Sequence, residues 1–591
     1  MDRNQAPNSE KWDFSLIIKN DNEYNEIFEC VKKQAQKLTT FKGKLKNKKD
    51  YMAFTNLFEE FSKNVNKLSL FIFLRRTINN KDAEIIAKDQ EFSFFVEKEE
   101  KDLSFVAAEQ KKFTNSYIDE LAAEPKLESY KQDILDIKED KKHILPEEQE
   151  KLLTGAGSFS RASEIFSNLS TSELVFESVK MPNGKKKKLD ENVYSLFMTN
   201  KNASVRKQAM LSVLNAYKKH NLSIASNYIS HLKACDFFST SAKFESTFER
   251  RFYNDKINTR VYDNLIASVH KNLPLFYAWA KTRAKIMGAK ITVSDFSNPL
   301  FALPNKKYSY DQAIEVVKQA TAVFGKDYTK GLESLTSGGY VDVYPTENKE
   351  KGAFEVSNHE GKQFVMLNFV GNFDSVETMA HEFGHAMHSH YSEISQPYNL
   401  RDYNIFVAEI ASTVNEILLM EHMKQNAKST KEKFAYTEKL LDMAKGVIFT
   451  QTMFSEFEYF AHSKINQKQP LTFKDLNEKY MELNKLFFGK NVKIYPENAY
   501  GWSRIPHFYR PFYVYKYATG MLAAMLIVKR IKENPAIYVP KYKQFLSAGC
   551  SEKPIDILKF VDINFETEES FNEAFELYGL WIKEYKEGAK C

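Results

Sequence analysis

The stretch Thr378–His390, TMAHEFGHAMHSH, constrains this chain more than any other. Four of the twelve histidines fall there, and His381-Glu382-Phe383-Gly384-His385 has the His-Glu-x-x-His spacing of a zinc hydrolase. On an α-helix, positions i and i+4 stack one turn apart, so His381 and His385 aim two imidazole nitrogens at one ion. Glu382 lies one step round the helix, too close in sequence to complete that ligand set, and is left to act on a water. Asp374-Ser375-Val376-Glu377 offers a capping signal, and Val376, Met379, Ala380, Phe383 and Met387 recur at helical spacing. Gly384 inside such a helix costs about 1 kcal/mol against alanine, which points to a close approach at that position. The alternative is a buried helix whose histidines are satisfied by neighbours.

A third ligand separates these readings, because catalytic zinc keeps three protein ligands and an open position whereas structural zinc is closed by four. Downstream, FVAEIASTVNEILLM (Phe406–Met420) carries an apolar stripe of Phe406, Ile410, Val414, Ile417 and Leu418, while Glu409, Ser412 and Glu416 share another face. Glu409 follows His381 with room for one helix, a loop and a return, and is the candidate third ligand. Glu416 is placed to hydrogen-bond a ligand histidine and fix its tautomer. Two solvated helix glutamates are the alternative.

These motifs, together with QPYNLRDYNIFVAEIASTVNEILL from Gln396, FTQTMFSEFE from Phe449 and RIPHFYRPFYVYKYATGMLAA from Arg504, resemble oligoendopeptidase F, a branch of the thimet-oligopeptidase-like zinc peptidases. GGYVDVYP from Gly338 and FLSAGCSEKPIDILK from Phe545 fit as well. The likeness runs from about Gly338 to Tyr578, weakens back to about Asn200 and is faint before that. It implies a mainly α-helical, two-lobed metallopeptidase with a deep substrate channel and a small β-sheet beside the HExxH helix. It also implies one Zn2+ per chain. Such a channel admits short unfolded peptides and excludes folded proteins.

The family places a histidine and then tyrosines at helical steps against the substrate and the transition state. His507 matches that histidine, and Tyr513 and Tyr517 match two of the tyrosines if one residue is inserted; the third falls on Gly520, and Tyr515 then points elsewhere. An aromatic-rich core helix is the alternative for the tyrosines. One departure is plain: where the family commonly has Ser-Gly-Ala-Tyr, this chain has Lys351-Gly352-Ala353-Phe354, which removes a hydroxyl.

The 591 residues exceed what one core supports, so two or more subdomains are expected. A hydrophobic share of 43% excludes a disordered chain. The net charge of +6 is spread out, and the one tight basic run, Lys185–Lys188 beside Pro-Asn-Gly, reads as a solvated hairpin tip. No aromatic residues interleave with it, so no nucleic-acid partner is expected. Cys30, Cys235, Cys550 and Cys591 lack metal-ligand spacing and read as free thiols of a reducing compartment. The polar N-terminus has no apolar signal core and the stretch Met521–Val528 is too short to span a bilayer, so a soluble cytoplasmic protein is expected, with no membrane partner. No oligomeric state follows.

Residues 1–200 are expected to form an N-terminal helical region with a β-hairpin near 174–189, followed by a catalytic domain over 201–591. Long helices are predicted from Asn22 to Asp140, with no chemistry visible there, and again from Val205, with Pro274 as a kink or break. GKQFVMLNFV is nearly all apolar and reads as a strand, buried on both faces or flanked by a ligand, just before the HExxH helix. A strand edge at that position would pair with an extended peptide, which is how the family is thought to hold substrate.

The expected activity is zinc-dependent hydrolysis of internal bonds in short oligopeptides. His381, His385 and Glu409 hold the metal and Glu382 is the general base toward the attacking water. His507 and Tyr513 stabilise the oxyanion. Two rivals are a zinc carboxypeptidase of related helical fold and a helical peptide-binding protein without turnover.

Overall fold

A computed structural model describes residues 3–157, 161–191 and 193–588; Cys591 lies outside them. Helices carry most of the chain and the strands are short. The chain divides into two compact units, each assembled from three stretches: Met1–Glu147, Asn305–Leu419 and Asn534–Val561 form one, and Glu148–Pro304, Met420–Glu533 and Asp562–Cys591 the other. Among the described residues no helix is long and apolar enough to cross a membrane.

The first unit begins with the predicted helices. Asp21–Thr39, Lys48–Ile78 and Ala83–Asp102 start where the side chains of Asn20, Asn47 and Asp82 accept from the first free backbone N–H groups. Their apolar faces build a core of Phe28, Leu68, Phe71 and Ile85 that also takes in Phe364 and Met366. The N-terminal helices and the sheet beside the HExxH helix therefore share one core.

That sheet has three strands. Gln363–Met366 pairs in parallel with Val341–Asp342 and antiparallel with Phe354–Ser357. The buried apolar strand is thus the central one, not the edge the sequence pointed to, and its burial on both faces has the expected cause. One edge is covered by the chain's own N-terminal segment. Trp12 bridges Gly339 in parallel, Asp13 N–H donates to Gly339 O at 2.9 Å, and the Trp12 indole N–H lies 3.1 Å from both Tyr340 O and Val365 O. The other edge, Phe354–Ser357, has no strand on its outer side among the described residues.

Beneath the sheet, Asp342 is buried and pairs with Arg3 and with Lys349 Nζ at 2.8 Å. Lys349 also donates to Tyr344 O at 2.8 Å and Leu367 O at 2.6 Å, pinning the loop that enters the free edge strand. Chain segments more than 300 residues apart meet at this carboxylate.

The second unit is built on long helices, among them Arg260–Met287 and Glu568–Gly588. The first runs through Pro274 without the break that was one of the two expectations there. Burial of Leu273, Phe276 and Trp279 around the proline outweighs the one hydrogen bond it removes. The hairpin pairs Val179–Lys180 with Lys186–Lys187 through a turn at Gly184, φ 81°, so the lysine run lies on its exposed return strand.

Candidate active site

The HExxH helix spans Phe373–Ser395. Its cap is Asn372, whose side chain accepts from Ser375 N–H at 3.0 Å, two residues ahead of the acidic signal read from the sequence. The second helix, Ile405–Gln425, crosses it at Gly384. A Cβ on Gly384 would lie 2.6 Å from Ser412 Cα and 2.7 Å from Ala411 O, so only glycine allows the two backbones to come this close.

This crossing brings the three candidate ligands together. His385 Nε2 lies 3.2 Å from His381 Nε2, and Glu409 Oε2 lies 3.5 Å from His381 Nε2 and 3.4 Å from His385 Nε2. Neighbouring ligands around a tetrahedral zinc with bonds of about 2.0–2.1 Å stand about 3.3–3.4 Å apart, so the three atoms fit such an ion. Among the described residues, this is the one group of three or more histidine, cysteine or acidic side chains gathered closely enough to hold a metal. The ligand side chains keep 28%, 15% and 35% of their surface exposed, which suits a site open to substrate rather than a closed structural one.

Neighbouring groups fix the ligands. Glu416 Oε1 stands 3.1 Å from His381 Nδ1; with the proton there, Nε2 carries the lone pair that faces the metal position. Ser412 Oγ donates to Glu409 Oε2 at 3.1 Å. Burial alone lowers the pKa of His381, but Glu416, Glu382 and Glu409 outweigh it and hold the ring up to about 9, a field that favours a cation. Burial raises the pKa of Glu409, yet the two histidines and Ser412 bring it down to about 2. Glu382 is 6% exposed, and burial raises its carboxyl against the opposing pull of His381 and His385.

Two contributors went unnoticed in the sequence. Asn415, fully buried, donates from Nδ2 to Ala380 O at 3.1 Å and accepts from Tyr328 OH at 3.0 Å, tying the second helix to the residue before His381. A polar residue next to Glu416 in an otherwise apolar run was its only signal. Tyr403 stacks on His388, ring centres 3.7 Å apart, and its hydroxyl meets Ser389 Oγ at 3.1 Å; nothing local announces that pairing.

His507, Tyr513 and Tyr517 belong to the second unit. His507 sits on a short 3-10 turn, Pro506–Tyr509, and Tyr513 precedes the helix that starts at Tyr515, so His507, Tyr513 and Tyr517 do not follow one another along a single helix. The three rings are nonetheless neighbours. Tyr517 lies 6.0 Å from His507 and 5.3 Å from Tyr513, both edge-on. Burial and Arg510 lower the His507 pKa. Tyr515 is fully buried and stacks on Phe252.

Known proteins share this architecture over their whole length. The sequence pattern of peptidase family M3 matches residues 196–577, and that of Oligopeptidase F matches residues 111–176. The chain is 31% identical over 99% of both chains to an oligoendopeptidase F homolog of Borreliella burgdorferi. It is 29% identical to oligopeptidase PepF of Bacillus subtilis over 99% of this chain and 88% of that one. A solved chain from Chlamydophila abortus superposes with a TM-score of 0.91 at 28% identity, covering 99% of each. Oligoendopeptidase-F from Enterococcus faecium superposes at 0.74 with 25% identity, covering 96% and 99%. With a helical fold that presents two histidines and a glutamate to one point, and a family match across most of its length, the chain belongs to peptidase family M3, in its oligoendopeptidase F branch, and is a metalloendopeptidase acting on oligopeptides.

Proposed function

We propose that the chain binds one Zn2+ through His381 Nε2, His385 Nε2 and Glu409 Oε2 and cleaves internal bonds of short, unfolded peptides. The observation that carries this is the trio of donor atoms 3.2–3.5 Å apart on two helices in contact at Gly384. When bound, zinc supplies Lewis acidity to the scissile carbonyl and lowers the pKa of the attacking water. The protein's own groups do the rest. Glu382 takes the proton from the water as its oxygen attacks the carbonyl carbon, then delivers that proton to the leaving amine. Glu416 keeps His381 in the ligating tautomer. His507, Tyr513 and Tyr517, whose rings pack together, are the oxyanion and substrate contacts that the family resemblance implies.

The peptide is held as an added strand along Phe354–Ser357, the edge with no partner strand among the described residues. The functional division is an N-terminal region to about residue 200, whose helices before Asp140 share the sheet's core, and a catalytic region over 201–591. Free thiols at Cys30, Cys235 and Cys550 suit a cytoplasmic enzyme.

The test is Glu382→Gln, assayed for metal content and for hydrolysis of a quenched peptide. The expected result is one equivalent of zinc retained with turnover down at least about 100-fold. Turnover near wild type would remove Glu382 from the mechanism.

A further inference from the structure

The unpartnered edge strand shows different chemistry on its two faces. Glu355 turns toward the HExxH helix, where Ser389 Oγ donates to its Oε2 at 3.3 Å. Phe354 and Val356 turn the other way, onto the N-terminal core. On that side the Phe354 ring lies 5.1 Å from Phe73, tilted by 47°, and 6.2 Å from Trp12. Phe73 comes from the helix Lys48–Ile78 and is 43% exposed.

The exposed ring is held in place. Glu350 N–H donates to Thr77 O at 2.9 Å and Asn80 N–H to Asn348 O at 3.1 Å, joining the end of that helix to the loop before the edge strand. Asn368 Nδ2 donates to Glu350 O at 2.9 Å and to Gly352 O at 2.8 Å, fixing the same loop from the other side. An aromatic pair with one open face is therefore built rigidly into the sheet's free edge.

We propose that Phe73 and Phe354 form a subsite for one large apolar side chain of the substrate, at a fixed number of residues from the cut bond. The proposal rests on the reading that the peptide adds as a strand to Phe354–Ser357. An extended peptide there sends alternate side chains to the two faces of the sheet, and directly opposed cross-strand neighbours stand about 4.5–5.5 Å apart. A peptide side chain on the Phe354 face meets that ring and the open face of Phe73, whereas its sequence neighbours face the Glu355 side. Leucine, methionine, phenylalanine or tyrosine gains by leaving water there; a carboxylate or ammonium loses hydration without a partner. The N-terminal helices, which carry none of the metal ligands, thereby take part in choosing the cut site.

The experiment digests a mixture of short unstructured peptides with wild type, Phe73→Ser, Phe354→Ala and Phe94→Ser, and reads every cut site by mass spectrometry. Phe94 is 70% exposed on a different helix of the same unit and serves as the control. Wild type is expected to favour large apolar residues at one fixed position. Phe73→Ser and Phe354→Ala should each reduce that preference by about tenfold, and Phe94→Ser should keep it. Cleavage with an unchanged profile in Phe73→Ser overturns the subsite alone, as does a wild-type profile with no apolar preference at any position. No cleavage by zinc-loaded wild type overturns the peptidase reading and the subsite with it.

Discussion

Gly384→Ala puts a methyl group where the two ligand-bearing helices touch. Its Cβ would lie 2.6 Å from Ser412 Cα, 2.7 Å from Ala411 O and 2.9 Å from Ala411 C, against ordinary contacts that begin at 3.4 Å. All three neighbours are backbone atoms, so no side chain can rotate away. The second helix must recede by about 0.8 Å at Ser412, the residue that donates to Glu409 Oε2. Metal-ligand distances tolerate only about 0.2 Å, so Glu409 is drawn out of range of the two histidines. Two energies oppose each other. Alanine in place of a helical glycine gains about 1 kcal/mol of propensity, while overpacking costs about 1–3 kcal/mol. The overpacking wins because both helices are buried at the contact. The expected result is a lower melting temperature, zinc affinity down tenfold or more by chelator competition, and a parallel fall in kcat/KM. A Gly384→Ala protein that melts higher and binds zinc as tightly as wild type would refute the argument.

Other predictions follow from the same geometry. Glu416→Ala should weaken zinc binding by about 10- to 100-fold in chelator titrations while leaving the fold intact, because it releases His381 Nδ1 rather than a ligand. Asp342→Ala should cost about 3–5 kcal/mol in denaturant unfolding, since it strands the buried Lys349 ammonium beneath the sheet. Burial pushes the Glu458 carboxyl up to about 8, against the opposing pull of Phe512 N–H and Arg251. An acid with a raised folded pKa contributes stability that is fully present below its unfolded pKa and is lost as pH rises through about 8. Glu458→Gln should therefore lose less melting temperature than wild type between pH 6 and pH 9; equal losses would show that this carboxyl does not titrate there.

The candidate site was legible where it repeats locally. Helical spacing alone aligned His381 with His385 and set Glu409, Ser412 and Glu416 on one face, and Gly384 announced a close approach whose partner turned out to be Ala411–Ser412. What stayed hidden depends on residues far apart in the chain. Trp12 and Arg3 reach Tyr340 and Asp342 across more than 300 positions, so the N-terminal segment gave no sign that it closes one edge of the sheet. The apolar run Gln363–Met366 announced burial, but burial does not say which strand lies in the middle; that needed the order of pairing. At Pro274 the sequence left a kink and a break open, and the packing around it keeps the helix continuous.

The central claim is that this site cleaves internal peptide bonds through a metal held by His381, His385 and Glu409. It is tested most directly by incubating the purified protein with a mixture of short peptides as isolated, after a chelator, and after zinc is restored, and identifying the products by mass spectrometry. The expected result is internal cuts that vanish with the chelator and return with zinc. Release of single C-terminal residues alone would contradict it in favour of an exo-acting enzyme, and intact peptides in the zinc-loaded sample would contradict it outright.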